Sequence, residues 1–217
     1  MFNFAPEIAK KMSLDKKEHI IDAAIELFSE KGFEGTSIRE LAAKADVNLA
    51  MVNYYFGSKD KLFEAMVEHK VSFMRGRIEE LEQDKTLNEL DKIDRIVEGY
   101  VERFLSHPQF HKVLQQEMLV SQREEMHNRV IGIFSQNTHN ITSIIEKGIR
   151  KKLFKKVDPQ LTFATLIGTI NQILMSRSLC NVLTGKNENF DPYTDEHFKK
   201  RIINHLKQLL RDHLLLH

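Results

Sequence analysis

A single cysteine, Cys180, stands among 217 residues. The chain therefore holds no internal disulfide and no cysteine-based zinc cluster. Four prolines and nine glycines leave little room for collagen-like, linker-rich or turn-dense all-β designs. No apolar run approaches the roughly 20 residues needed to cross a bilayer, so no membrane partner is expected. The first 13 residues lack the apolar stretch of about 7–15 residues that a secretory signal carries. With the lone thiol, this sets the expectation of a cytoplasmic protein. An excess of one charge is missing as well, since 32 Lys and Arg face 31 Asp and Glu. Residues 1–70 carry 10 basic against 12 acidic side chains. The field of that region gives no pull toward a polyanion, and any phosphate contact there must come from a few placed groups. Nucleotide-binding and serine-hydrolase motifs are absent, and so is HExxH. His107 and His111 are four apart, but Pro108 lies between them, and no metal or other cofactor is expected.

What is present is helical periodicity, in a chain that is 41% hydrophobic and 29% charged. The pattern predicts an all-α protein. A first helix is expected from Asp15 to Lys31, with Ile20, Ala23, Ala24, Leu27 and Phe28 on one face and Gly32 as its stop. Residues 1–13 read as a flexible arm, with Lys10 and Lys11 free to meet a phosphate backbone. Ser37-Ile-Arg-Glu40 is a capping box that opens a short second helix with Ile38, Leu41, Ala42 and Ala45 inward. Asp46-Val47 is a turn. Asn48 caps a third helix, Leu49–Phe56, with Val52 and Phe56 inward. Gly57 ends it and Ser58 caps the next. Helices two and three, joined by a short turn, have helix-turn-helix geometry. Five or six longer helices are expected beyond Lys59. Asp158-Pro159 and Asp191-Pro192 each read as an N-cap followed by a first helical residue.

The third helix draws attention because burying Val52 and Phe56 sends Leu49, Met51, Asn53, Tyr54 and Tyr55 to its other sides. Asparagine can bond bidentately to adenine, apolar atoms can meet a thymine methyl, and phenols reach phosphate. Asn48 exposes a helix N-terminus suited to an anion. The two tyrosines equally suit packing on neighbouring helices, rings inside and hydroxyls wet. Both readings stand on sequence alone.

The stretch AAIELFSEKGFEGTSIRELAAKADVNLAMVNYYFGSKDKLF resembles the N-terminal domain of the TetR family of bacterial transcriptional regulators. Ala24, Leu27, Phe28, Gly32, Phe33, Thr36, Ile38, Ala42, Ala45, Val47, Tyr55, Phe56, Lys59 and Leu62 carry the likeness. Ala50, where glycine is common, and Asn53, where tyrosine is common, depart from it. The resemblance implies that Thr36 and Ser37 meet a backbone phosphate and that Arg39 lies near base edges. It also implies that Leu49, Met51, Asn53 and Tyr54 face the major groove, while Tyr55 and Lys59 hold flanking phosphates. The implied protein is a repressor. It has a helix-turn-helix domain over residues 14–58 and a larger effector-binding and dimerisation domain over 59–217. Its partners would be a near-palindromic double-stranded DNA operator, a second copy of the chain and a small-molecule effector. An interaction module of the same fold without DNA binding, or a helical enzyme, stays open at this point.

For the dimer, Phe163, Ile167, Ile170 and Leu174 form an apolar set, and Ala164 and Gly168 allow close helix approach. A terminal helix with Ile202, Leu206, Leu209 and Leu210 would complete a four-helix bundle with its mate. Candidate pocket residues are polar groups that interrupt apolar stripes, with their neighbours: Glu117 beside Met118, Asn137 beside Phe134, and Asn171.

Overall fold

The computed structural model describes residues 5–120, 123–174 and 176–216, with side chains from residue 16 onward apart from those of 120 and 174. Among them run α1 (Ala5–Lys31), α2 (Ile38–Lys44), α3 (Leu49–Phe56), α4 (Lys59–Gln83), α5 (Glu89–Ser106), α6 (Pro108–Val120), α7 (Glu124–Arg150), α8 (Pro159–Leu174), α9 (Arg177–Thr184) and α10 (Glu196–Leu214). The only β feature among the described residues is an antiparallel bridge between Phe154 and Leu215. No described helix is long and apolar enough to cross a membrane.

Helix boundaries follow local chemistry. The Ser37–Glu40 capping box forms as expected, and Asn48 Oδ1 accepts from the Met51 N–H at 2.8 Å. Gly32 and Gly57 both lie at φ 75°, where a Cβ is disfavoured, so each can end a helix. Asp158 Oδ1 accepts from Leu161 N at 2.9 Å, capping α8. Asp191-Pro192 behaves otherwise. Asp191 Oδ1 accepts from Tyr193 N at 3.0 Å, making a local turn, and the N-cap of α10 is Asp195. The first helix begins at Ala5, so residues 5–13 of the expected arm are helix. Residues 1–4 and the side chains of Lys10 and Lys11 lie outside the described residues.

The chain divides into two compact units. One comprises the residues up to Lys70 together with Gln109–Ile131; the other comprises Val71–Pro108 and Gly132–His217. The sequence reading set its boundary at 58/59, but the start of α4 buries Leu62, Phe63, Met66 and Val67 completely. The Phe63 ring packs 6.1 Å from that of Phe28 and 5.6 Å from that of Phe33. Cutting at residue 58 would expose this cluster, at roughly 1.5–3 kcal/mol for each large apolar side chain.

In the second unit, α5, α7, α8 and α10 share one core, built on Ile96, Val97 and Tyr100 of α5, Ile144 of α7, Ile170 of α8 and Leu206 of α10. Helix α10 lies against α5, and Lys207 pairs with Glu98 at 2.6 Å while Arg211 pairs with Asp94. Phe154 is buried on α7, where a Cβ added to Gly148 would stand 2.1 Å from its ring. Gly148→Ala is therefore expected to destabilise the protein by about 1–3 kcal/mol, as overpacking does. Urea unfolding of the two proteins side by side measures the difference.

Candidate nucleic-acid interface

Helix α3 is pinned from behind and open in front. Val52 and Phe56 are buried, and their 3.6-residue spacing leaves the remaining faces outward. Tyr54 is 84% exposed and Leu49 38%, Asn53 is exposed, and Met51 and Tyr55 are half-buried. The Tyr54 and Tyr55 rings meet edge to face at 5.4 Å. The packing alternative for the tyrosines therefore fails for Tyr54 and holds in part for Tyr55. Arg39 on α2 is exposed and has no acidic partner among the described residues, so its five donors are available.

Three residues expected at phosphates have work inside the protein. Thr36 is buried, and its hydroxyl donates to Gly32 O at 2.8 Å and Leu27 O at 3.3 Å. It closes the turn after α1, and DNA cannot reach it. Lys59 donates to Phe33 O at 2.7 Å and Thr36 O at 3.0 Å, and its ammonium stands 4.4 Å from the Phe33 ring centroid. Its charge therefore satisfies carbonyls of the α1–α2 turn. Ser37 is exposed, but its hydroxyl donates to Glu40 Oε2 at 2.8 Å and accepts from Glu40 N at 3.2 Å. Other cations of this unit are spent on ties between helices: Lys31 to Glu40 and Lys44 to Glu26, both at 2.6 Å. Lys31, Lys44 and Lys59 thus brace α2 and the turn that leads into it.

Glu40 anchors this bracing. Hydrogen bonds from Lys31, then from the Ser37 N–H and hydroxyl, lower its carboxyl from 4.5 to about 2. A depressed carboxylate contributes stability in full above its unfolded value and loses it as pH falls through the folded one. The stability gap between the wild type and Glu40→Gln is therefore expected to be widest above pH 4.5 and to close toward pH 2. Thermal melts across that range test it.

Sequence reasoning missed Arg123, which lies just before α7 and belongs to the same unit. Its guanidinium stands 4.1 Å from the Phe33 ring centroid. It donates to Glu34 Oε1 at 2.6 and 2.7 Å and to Glu117 Oε1 at 3.0 Å, with Asp60 at 3.6 Å. Three carboxylates and an aromatic face converge on one planar cation, an arrangement suited to arginine. Glu117, expected to line a pocket, is one of these partners.

The other pocket candidates divide between the units. Met118 belongs to the first, while Phe134, Asn137 and Asn171 belong to the second. Asn137 is 3% exposed and its Oδ1 has no hydrogen-bond donor. Burial pushes the Tyr100 phenol far above its ordinary range, against a hydrogen bond from Asn137. An orphaned carbonyl oxygen in an aromatic core is unusual, because buried polar groups are nearly always paired.

Of the residues assigned to a subunit interface, Ile170, Ile202, Leu206 and Leu210 are buried within the single chain. Their partner is the intramolecular core, because α10 turns its main stripe to α5. Phe163 and Ile167 are partly buried against that core. Ala164 and Gly168 remain exposed, and Leu209 is 37% exposed. The side chain of Leu174 lies outside the described residues.

Two family models match the chain. The model described as bacterial regulatory proteins, tetR family, matches residues 20–66, and the tetracyclin repressor-like C-terminal domain matches residues 86–175. The HTH-type transcriptional repressor NicS of Pseudomonas putida is 32% identical over 152 residues, covering 64% of this chain and 66% of that protein. YttP of Bacillus subtilis is 50% identical over 56 residues, which is 27% of its length. The chain thus spans about a quarter of YttP and just under two thirds of NicS. Among solved structures, the transcriptional regulator FadR from Bacillus subtilis in complex with stearoyl-CoA superposes with a TM-score of 0.71 at 20% identity, covering 89% of this chain and 96% of that one. PfmR from Thermus thermophilus gives 0.68 at 19%, covering 88% and 97%.

Proposed function

Because this chain belongs to the TetR family of bacterial regulatory proteins, we propose that it is a transcriptional repressor. In this reading it binds a near-palindromic operator as a homodimer in the cytoplasm and is released by a small-molecule effector. The observation that carries the reading is α3, whose outward Leu49, Asn53 and Tyr54 are held by a buried Val52 and Phe56 behind them. A short helix fixed on one face and rich in base-compatible groups on the other is what a major groove accepts. Arg39 supplies a second reader from α2. Tyr55 and the N-terminus of α3 at Asn48 supply the backbone contacts that set the register. Thr36 and Lys59 are assigned to the scaffold.

A second copy docks on α8, where Leu161, Ala164 and Gly168 form an outward row of small and apolar groups that permits close helix contact. Two copies place their α3 helices in successive major grooves, roughly 34–36 Å apart. The effector binds in the second unit, with the unpaired Asn137 oxygen as its polar anchor. Effector and operator then oppose each other with a coupling of about 1–3 kcal/mol.

Selection of genomic fragments by the purified chain, followed by anisotropy on the enriched duplex, tests the proposal. The expected result is one motif with inverted symmetry and a steep loss of affinity with salt. Fragments without a shared motif would favour an interaction module instead. The stearoyl-CoA held by the B. subtilis FadR structure makes acyl-CoA thioesters the first effectors to titrate into the bound complex.

A further inference from the structure

We propose that the groove where α4 meets α5 in the second unit is a phosphate-binding site. It encloses about 220 Å³ and is lined by Phe73 and Arg77 of α4 and by Gly99, Glu102 and Arg103 of α5, with His107 at its end. The helices approach closely at Gly99, where a Cβ would stand 3.3 Å from Met74 Cε, and this brings the two arginines to one opening.

The groove carries two arginines against one acid. Arg77 is exposed and has no acidic partner among the described residues. Arg103 is oriented by its neighbours, since one nitrogen donates to His107 Nε2 at 2.8 Å and its guanidinium stands 5.6 Å from the Phe73 ring centroid. Burial also lowers its pKa, so the cation sits in a partly dry place where an anion is held more strongly than in water. The one acid of the lining, Glu102, is 4.0 Å from Lys199 of α10. Two arginines at one opening match a tetrahedral dianion, whose oxygens can serve both forks. A carboxylate offers two oxygens and one charge where a phosphate offers three oxygens and up to two charges, so the phosphate is the better match. The volume is below the about 300–1,000 Å³ of sites that enclose a drug-sized ligand, so the groove takes a phosphate group, free or as the head of a larger molecule. Phe73 is 59% exposed and offers such a molecule a flat apolar rest.

Calorimetric titration of the full chain with pyrophosphate, ADP and adenosine tests the site. Saturable binding of pyrophosphate and ADP, with adenosine inert, is expected. If ADP binds more tightly than pyrophosphate, the groove serves a phosphorylated organic ligand; equal affinity marks a site for the free ion. Arg77→Glu lies on the surface, keeps the fold and should weaken both ligands at least tenfold. Arg103→Ala should do the same, with its melting curve recorded alongside. Glu102→Gln should bind as tightly as the wild type or more so. Arg39→Ala, in the DNA-reading unit, should bind as the wild type does. Absence of saturable binding, unchanged affinity in Arg77→Glu, or loss in Arg39→Ala alone would overturn the assignment.

Discussion

Arg123→Ala is expected to lower the stability of the first unit by about 2–3 kcal/mol and to weaken operator binding with it. Removing one partner from a fully buried ion pair costs about 3–5 kcal/mol, because the remaining charge stays buried without compensation. The Arg123 site is not fully dry. Its side chain is 26% exposed and that of Glu34 is 80% exposed, but that of Glu117 is only 11% exposed. The discounted figure follows from that mixture. Arg123→Lys keeps the charge but loses the planar fork and the stacking on Phe33, so an intermediate loss is expected. Glu117→Gln in the Arg123→Ala background should recover part of the stability by neutralising the stranded carboxylate. Urea unfolding of the three variants measures these differences. Wild-type stability in Arg123→Ala would show that the convergence on this cation is incidental.

Arg123→Ala weakens operator binding through the turn between α1 and α2. Phe33, Glu34 and Thr36 form the turn between α1 and α2, and Arg123 grips that turn from a residue that α7 connects to the second unit. A loosened turn removes the platform on which the outward residues of α2 and α3 stand. DNA affinity should therefore fall for all sequences alike, without a change in base preference.

Asn53→Ala is expected to give the opposite signature. The side chain is exposed on α3, so stability should change by no more than about 0.5 kcal/mol. Discrimination at one base position should fall by about 1–3 kcal/mol, the worth of a bidentate contact. Tyr54→Ala, equally harmless to the fold, should lower affinity for the selected operator. Binding-site selection with each variant separates the two effects, since a lost reader flattens one column of the motif and a lost platform flattens none. An intact motif from Asn53→Ala would remove that residue from the reading set.

The comparison of these residues shows where sequence patterns carry information and where they stop. Helix α3 was legible because its signals are local: an Asn48 cap, two inward apolar residues a turn apart and a glycine stop. Its outward residues follow by elimination. The role of Arg123 was hidden because its partner Glu34 is 89 residues away, and nothing in its neighbourhood marks it apart from other surface arginines. Thr36 and Lys59 were misplaced for a related reason. A hydroxyl or ammonium near a helix start can serve a phosphate or a protein carbonyl, and only the folded turn decides. The α10 stripe shows the same limit on a larger scale. Periodicity establishes that Ile202, Leu206 and Leu210 must be buried, but it carries no label for the partner, which is α5 of the same chain.

The most direct test of the account is a titration of the full chain into the selected operator and into a shuffled duplex of equal composition, at physiological salt, with complex mass measured by sedimentation. The account predicts two chains on each operator and an affinity at least about 10³-fold above that for the shuffled duplex, as specific recognition requires. Equal affinity for both duplexes, or one chain per operator, would contradict it.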